Sequence, residues 1–286
     1  MVSLIVILFT AFFLLKFQAN IKEVYAEATA KQTCKTSVRA NAALKLRYAD
    51  FSGELNCPTV KVKIDDKNEE NVKKKLADAM FDCWDQFGRG QLELFSDDSV
   101  YCAICHRITF NKEMKVNGFT EYLATKQIPA QKISYLQFLT TERTQNSEFL
   151  KELENKKIVD TIDTSQGNEY AIIFTYIKGK RSLDKYLEKA KYTAPGIGLI
   201  AVGFGIFKAG GIVGGSLSAI ATPAVGVPVG LTISSVGGFV MAVGALWSGL
   251  ASYFTTVPFD NISLISFIPY DAQNIKNLNC QEIPIK

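Results

Sequence analysis

Two cysteines and a histidine stand close together in the stretch SVYCAICHRIT, where Cys102, Cys105 and His106 have the order C-x-x-C-H. A c-type haem is attached to residues in this order, because both thiols bind the porphyrin covalently and the histidine binds its iron. The same residues are also compatible with separate disulfides, or with a C-x-x-C metal or redox site. Whether these residues lie on a strand or on a helix distinguishes these alternatives.

The three residues lie in a run with the alternation of a β-strand. An apolar alternation with a period of two runs through it, formed by Val100, Cys102, Ile104, Ile108 and Phe110. Successive side chains on a strand point to opposite faces, so Cys102 and Cys105 are expected to point apart. A haem needs both cysteines on one side. We therefore predict separate disulfides, with haem binding by Cys102, Cys105 and His106 as the alternative.

The cysteines form an even set of six: Cys34, Cys57, Cys83, Cys102, Cys105 and Cys280. An even number is typical of disulfides in an oxidising compartment. Proximity along the chain favours a bond between Cys34 and Cys57. Cys83 and Cys280 then remain as partners for the two central cysteines.

Catalytic chemistry finds little support in the sequence. His106 is the only histidine, so a Ser-His-Asp or Cys-His site would have to use it, and a histidine-rich metal site is excluded. The acidic pairs Asp65-Asp66 and Asp97-Asp98 flank predicted elements, as capping and turn residues do. We predict no catalytic residue, no cofactor and no metal ligand.

The polar part of the chain, residues 30–190, alternates between strand and helix patterns. Strands are predicted over 59–64, 99–110, 169–177 and 263–270, and short helices over 120–126 and 182–190. A longer helix is predicted over 69–87, where apolar residues three or four apart form one face and Gly88 or Gly90 ends it. Trp84 lies on that face and is expected in the core. The pattern is that of an α+β domain.

The chain begins with an apolar stretch, residues 2–15, which ends at Lys16. Its length lies between that of a signal-peptide core and that of a short transmembrane helix. Small residues suited to cleavage occur at 26–28 and 28–30, farther from the apolar stretch than cleavage sites usually lie. Residues 1–20 are therefore predicted to be a signal anchor, with a cleaved signal peptide as the alternative.

A second apolar stretch, residues 194–254, is rich in glycine. Of the 20 glycines in the chain, 14 lie between Gly196 and Gly249, and Lys208 is the only lysine, arginine, aspartate or glutamate between Tyr192 and Phe259. About 60 residues suffice for two spanning helices of roughly 20 residues each. We therefore predict a transmembrane helical hairpin.

Its turn is predicted at Pro223 and Pro228, since proline removes a helix donor. Small residues that let helices pack closely recur every fourth position in both legs: Gly210, Gly214 and Ser218, then Gly226, Gly230, Ser234, Gly238 and Ala242. The first leg is predicted to run continuously from Gly196 to Ala221, with Lys208 inside the bilayer. In the alternative, Lys208 lies at the membrane edge.

Three motifs, DCWDQFGRGQLELF, YCAIC and NCPTV, carry a resemblance to a known group. They resemble an uncharacterised family of membrane-anchored archaeal proteins, and the likeness covers residues 34–110. The resemblance implies an exported, anchored protein without an assigned activity. It supplies no catalytic residues.

The charged residues indicate which kind of partner is excluded and on which side of the membrane the domain lies. The net charge of +4 is small and the lysines are scattered, which argues against nucleic acid. The basic residues of 178–191 favour a cytoplasmic domain, although large domains translocate largely regardless of charge. The cysteines outweigh this and favour an extracytoplasmic domain. A hairpin would also return the tail, residues 257–286, to the same side, where its strand joins the domain.

These observations predict a membrane-anchored extracytoplasmic protein with a binding, envelope or cell-contact role, and they do not favour an enzyme. Its expected partners are the lipid bilayer and, through the glycine-rich hairpin, another protein or a second copy. Two alternatives remain at this point. One is a monohaem c-type electron carrier, and the other is a pore-forming or membrane-inserting protein.

Overall fold

Strands rich in β-branched and aromatic residues pair into a mixed sheet at the centre of the protein. The computed structural model describes residues 25–44, 55–139, 161–190, 199–205, 241–242 and 261–282. In these ranges the strands are β1 (Val60–Ile64), β2 (Val100–Phe110), β3 (Lys115–Asn117), β4 (Thr161–Asp163), β5 (Glu169–Lys178), β6 (Leu199–Gly205), β7 (Met241–Ala242), β8 (Asn261–Pro269) and β9 (Gln281–Glu282). Of these, β3 and β4 form a small ladder of their own.

The central sheet has the order β1-β2-β5-β8-β6-β7. Neighbours from β2 to β7 are antiparallel, whereas β1 runs parallel to β2. The last strand, β9, is also parallel to β2 and pairs with Tyr101 and Cys102. Because β5 occupies one edge of β2, β1 and β9 share the other edge. The chain's tail therefore returns to the strand that carries the central cysteines.

Helices cover both faces of the sheet. They are α1 (25–44), α2 (Glu69–Gln86), α3 (Phe119–Thr125), α4 (Tyr135–Leu139), α5 (Lys180–Ala190) and α6 (Ala272–Asn277). The first core lies between one face and α1 to α4, and the second core lies between the opposite face and α5 with α6. As a result, β5 and β8 are buried along almost their whole length.

The sequence of α2 accounts for both of its ends. Asn68 caps the start, where its side-chain oxygen accepts hydrogen bonds from the backbone N–H groups of Glu70 at 2.9 Å and Asn71 at 3.3 Å. After the helix, Gly88 and Gly90 adopt φ of 65° and 66°. A Cβ at Gly90 would lie 2.7 Å from the Trp84 ring and 2.8 Å from the Cβ of Ser263. Only glycine fits this close contact between helix and sheet.

The α+β class predicted from the sequence is confirmed, with most of its elements in place. The four predicted strands correspond to β1, β2, β5 and β8, and the three predicted helices to α2, α3 and α5. Trp84 is fully buried in the first core, as expected. The helix α1 was not predicted, because its buried face consists of only a few small and polar residues, namely Cys34, Val38, Asn41 and Ala42.

The membrane predictions fall largely outside the described residues. Residues 1–20 and Lys208 are not among them, and in the ranges that are described no helix is long and apolar enough to cross a membrane. Where the predicted hairpin is described, its helical form is wrong. Leu199–Gly205 is the strand β6, which pairs with β8, so the first leg is not a continuous helix from Gly196. A short apolar run suits a buried strand as well as a helix, and pairing decides between them.

Candidate functional site

The C-x-x-C-H residues lie on β2, where a β-bulge interrupts the strand. The register with β5 shifts between Ile104 and His106, so that Ile104 pairs with Ile173 and His106 pairs with Ile172. A bulge adds one residue to one strand and leaves it unpaired, here Cys105. Side chains on the two sides of the bulge therefore follow opposite alternations.

The bulge corrects the single alternation predicted for this strand. Before it, Val100, Cys102 and Ile104 face the second core, but after it Ile108 and Phe110 face the first core. The expectation that the cysteines point apart is confirmed, since Cys102 packs with the second core and Cys105 with the first. The sequence pattern could not reveal the bulge, because the apolar residues stay at even positions on both sides of it. His106 occupies the one even position between them, where the side chains change from one face of the sheet to the other.

All six cysteines pair in the structure. The bonds are Cys34–Cys57, Cys83–Cys105 and Cys102–Cys280, which span 23, 22 and 178 residues. They join α1 to the segment before β1, α2 to the bulge of β2, and β2 to the chain's tail. The predicted disulfides, including the pair made by Cys34 and Cys57, are confirmed.

This bonding is incompatible with a haem at the C-x-x-C-H residues. Both sulfurs are already bonded, one on each face of the sheet. His106 is 1% exposed, so the surrounding protein encloses its ring. The same geometry rules out a redox pair between Cys102 and Cys105, since each is bonded to a different partner.

His106 is a buried polar residue whose ring is left without hydrogen bonds. Neither ring nitrogen has a hydrogen-bond partner among the described residues, and such a buried group is costly to leave unpaired. Burial, and secondarily the positive charge of Lys31 on α1, lowers the pKa of His106 from 6.5 to about 3. The imidazole is therefore neutral at physiological pH, and protonating it would place a charge in the core.

A polar seam joins α1 to α2 above this site. Lys31 Nζ lies 2.5 Å from a carboxylate oxygen of Asp82 and 2.6 Å from one of Glu27. One turn farther along both helices, Lys35 pairs with Asp85. Because both contacts advance by one turn in the same direction, α1 and α2 run parallel. Burial alone would lower the pKa of Lys31, but its hydrogen bonds to Asp82 and Glu27 outweigh burial and raise it.

An open cleft of about 360 Å³ lies at the start of α2, beside α3. Its walls are polar: Glu70, Lys73, Gly118, Glu121, Tyr122, Thr125 and Lys126. Glu70 contacts both lysines, with Lys73 at 3.2 Å and Lys126 at 3.7 Å. Glu70 and Lys126 are more than half exposed, and ion pairs between exposed side chains contribute little energy. We assign no ligand to the cleft.

The acidic pairs lie in turns, as the sequence predicts. Asp65 accepts a hydrogen bond from the side chain of Asn111, and Asp66 accepts one from the backbone N–H of Asn68 at 3.3 Å. Asp97 and Asp98 lie in the bend before β2. In the described ranges no three His, Cys, Asp or Glu side chains converge in a way that could hold a metal ion.

The fold and this site define a class of protein, an α+β domain crosslinked by three disulfides with a buried neutral histidine beside one of them. No protein-family model matches the sequence. No curated protein and no solved structure matches it either. Its function must therefore be argued from its own residues.

Proposed function

We propose that the protein is an exported module attached to a membrane, with its domain on the extracytoplasmic side in a binding, envelope or cell-contact role. The observation that carries this proposal is the pairing of all six cysteines in three disulfides. Disulfides persist in oxidising compartments and are rare where cellular thiols keep cysteines reduced. Two of these bonds hold the first helix and the tail, as suits a domain that must survive outside the cell.

Membrane attachment is proposed for the glycine-rich stretch and export for the N-terminal apolar stretch. Because β6 ends at Gly205 and β7 begins at Met241, about 35 residues lie between them, fewer than two full spans of roughly 20 residues need. We therefore infer a shallower hairpin, which enters the bilayer, turns at Pro223 and Pro228, and returns to the same side. In this arrangement Lys208 lies near the membrane surface.

A membrane-inserting or pore-forming role is the second candidate. It is favoured by the small residues that recur every fourth position from Gly226 to Gly238, because such residues let helices of several copies pack closely. The pairing of β6 with β7 holds the two ends of this stretch together. Dye release from sealed vesicles by the purified full chain tests this role directly, and intact vesicles would exclude it.

The disulfides are tested by mapping peptides of the protein taken from its native membrane under non-reducing conditions. Three linked peptide pairs are expected, and each should separate on addition of reductant. A protein isolated with free thiols at these positions, after rapid alkylation in the cell, would remove the main support for an extracytoplasmic domain.

Orientation is tested independently with a membrane-impermeant protease added to intact cells. Cleavage within residues 140–170 is expected, while a cytoplasmic protein in the same cells stays intact. Protection of this region under conditions that digest a known outer protein would reverse the proposed orientation.

A further inference from the structure

The central sheet has one end at which β6 finishes and the glycine-rich chain leaves it. Lys178 of β5 pairs with Asn261 of β8, and Asn261 pairs with Gly205 of β6. Gly205 is the last residue of its strand and Asn261 is the first of its strand. The chain therefore leaves the sheet after Gly205, returns to it as β7 opposite Ile200 and Ala201, and begins β8 at Asn261, beside the last residue of β5. We call this the exit end.

The helix α5 begins at the exit end and presents a basic outer surface. It starts directly after Lys178 and Gly179. Leu183 and Tyr186 are buried in the second core, so the opposite side of the helix faces outward. Three basic side chains are exposed on it, namely Lys180, Arg181 and Lys185. None of them forms an ion pair with another described residue.

These unpaired cations contrast with five lysines on or beside the helices that cover the first core. There, Lys31, Lys35, Lys73, Lys74 and Lys126 all contact carboxylates. The acidic residues of α5 are Asp184 and Glu188, and the carboxylate of Asp98 lies against Gly179 at the helix start. A carboxylate there is matched by the positive end of the helix dipole. The outer surface of α5 thus keeps an excess of positive charge.

We propose that the exit end rests on a membrane surface containing anionic lipids, with Lys180, Arg181 and Lys185 in contact with the phosphates of lipid headgroups. The inference rests on the proposed membrane attachment through the glycine-rich stretch. That stretch leaves the sheet beside α5, so its entry into the bilayer would bring these side chains to the headgroups. Attraction between basic residues and an anionic leaflet acts only within about 10 Å at ordinary ionic strength, which this position satisfies.

Acetylation of lysines in reconstituted protein tests the inference. The full chain is placed in vesicles of phosphatidylcholine, with or without added phosphatidylglycerol, and treated with an uncharged acetylating reagent at low salt. Lys180 and Lys185 should react several-fold more slowly in the anionic vesicles, and high salt should remove the difference. Lys61 and Lys63 are exposed on β1, at the opposite end of the sheet, and should react equally in both.

A charge-reversed variant adds a matched comparison. In R181E/K185E, the dependence of Lys180 acetylation on lipid charge should weaken, whereas K61E/K63E should leave it unchanged. Equal rates for Lys180 in both kinds of vesicle, in protein that resists extraction by alkaline carbonate, overturn this inference alone. Slow reaction in both vesicles, with a dependence on protein concentration, means that protein covers the surface and also overturns it. Release of the chain by carbonate overturns the proposed attachment and this inference with it.

Discussion

The two faces of the sheet carry different kinds of side chain. The first face carries large aromatic rings, as in the stacked pair of Phe87 and Phe174 with centroids 4.0 Å apart, and four helices cover it. The second face carries mainly isoleucine and leucine under α5 and α6, with Tyr186 as its one fully buried ring among the described residues. The first core is therefore the larger, and its burial supplies most of the hydrophobic stabilisation.

The disulfides divide between the faces in the same unequal way. Two short crosslinks, Cys34–Cys57 and Cys83–Cys105, belong to the first core, and one long crosslink, Cys102–Cys280, closes the second. The second core, which fewer helices cover, thus depends on a bond between residues far apart in sequence. Packing therefore holds the first face, whereas a covalent closure holds much of the second.

Removing the long crosslink should give the largest loss of stability. By the loop-entropy relation, C102A/C280A should lower the free energy of unfolding by about 5 kcal/mol and C83A/C105A by about 3 kcal/mol. The reason is that the longer loop restricts the unfolded chain more. Urea unfolding of the full chain in detergent, followed by circular dichroism, measures both. Equal losses for the two variants would contradict this difference between the two faces.

Acid should weaken the first face through His106. In the unfolded chain this histidine protonates near its ordinary pKa of 6.5, whereas in the folded chain it does so at about 3. Between these values only the unfolded state binds the proton, so the free energy of unfolding falls as the pH falls. The loss from this group should reach about 2 kcal/mol at pH 5 and about 4 kcal/mol at pH 3.

The variant H106L separates this effect from the titration of carboxylates. Leucine cannot take up a proton and leaves no ring nitrogen unpaired, so stability at pH 7 should be retained or slightly raised. The decline in stability between pH 6.5 and 4 should become shallower than in the parent chain. Parallel pH profiles for parent and variant would show that the ring is solvated or hydrogen-bonded in solution.

The smallest effect on stability is expected for the lysines, and it should differ between paired and unpaired side chains. K31M should lower the free energy of unfolding by about 0.5 kcal/mol, since the side chain is 26% exposed and solvent weakens its ion pairs. K185M should change it by about zero, because exposed unpaired side chains contribute little to stability. Thermal unfolding in the same detergent measures both variants. A larger loss for K185M than for K31M would contradict the contrast.

Much of this arrangement could be predicted from local patterns. Alternation identified the strands, three-to-four spacing identified α2, and the position of Cys102 and Cys105 on a strand predicted that they bond to different partners. Proximity along the chain was sufficient for Cys34 and Cys57. These features depend on residues near one another in sequence, where elementary geometry leaves few choices.

The features that were missed depend on distant residues. The bulge at Cys105 is evident only from the register with β5, and the strand β6 only from its pairing with β8. Likewise, α1 buries few apolar side chains and is held by Lys31, Lys35 and Cys34, whose partners lie elsewhere in the chain. The buried state of His106 follows from all of these contacts together, so no short pattern could have indicated it.

The disulfide connectivity also sets how far the chain can be drawn out under tension. A pull on α1 and on the tail passes from Cys34 to Cys57, along β1 and α2 to Cys83, across to β2, and from Cys102 to Cys280. About 30 residues lie on this covalent path, so the stretched connection measures roughly 100 Å at about 3.4 Å per residue. The strands β5, β6 and β8 lie in a covalently closed loop outside this path, so they carry no force. Mechanically, the domain is a short tether in which these three strands of the central sheet carry no force.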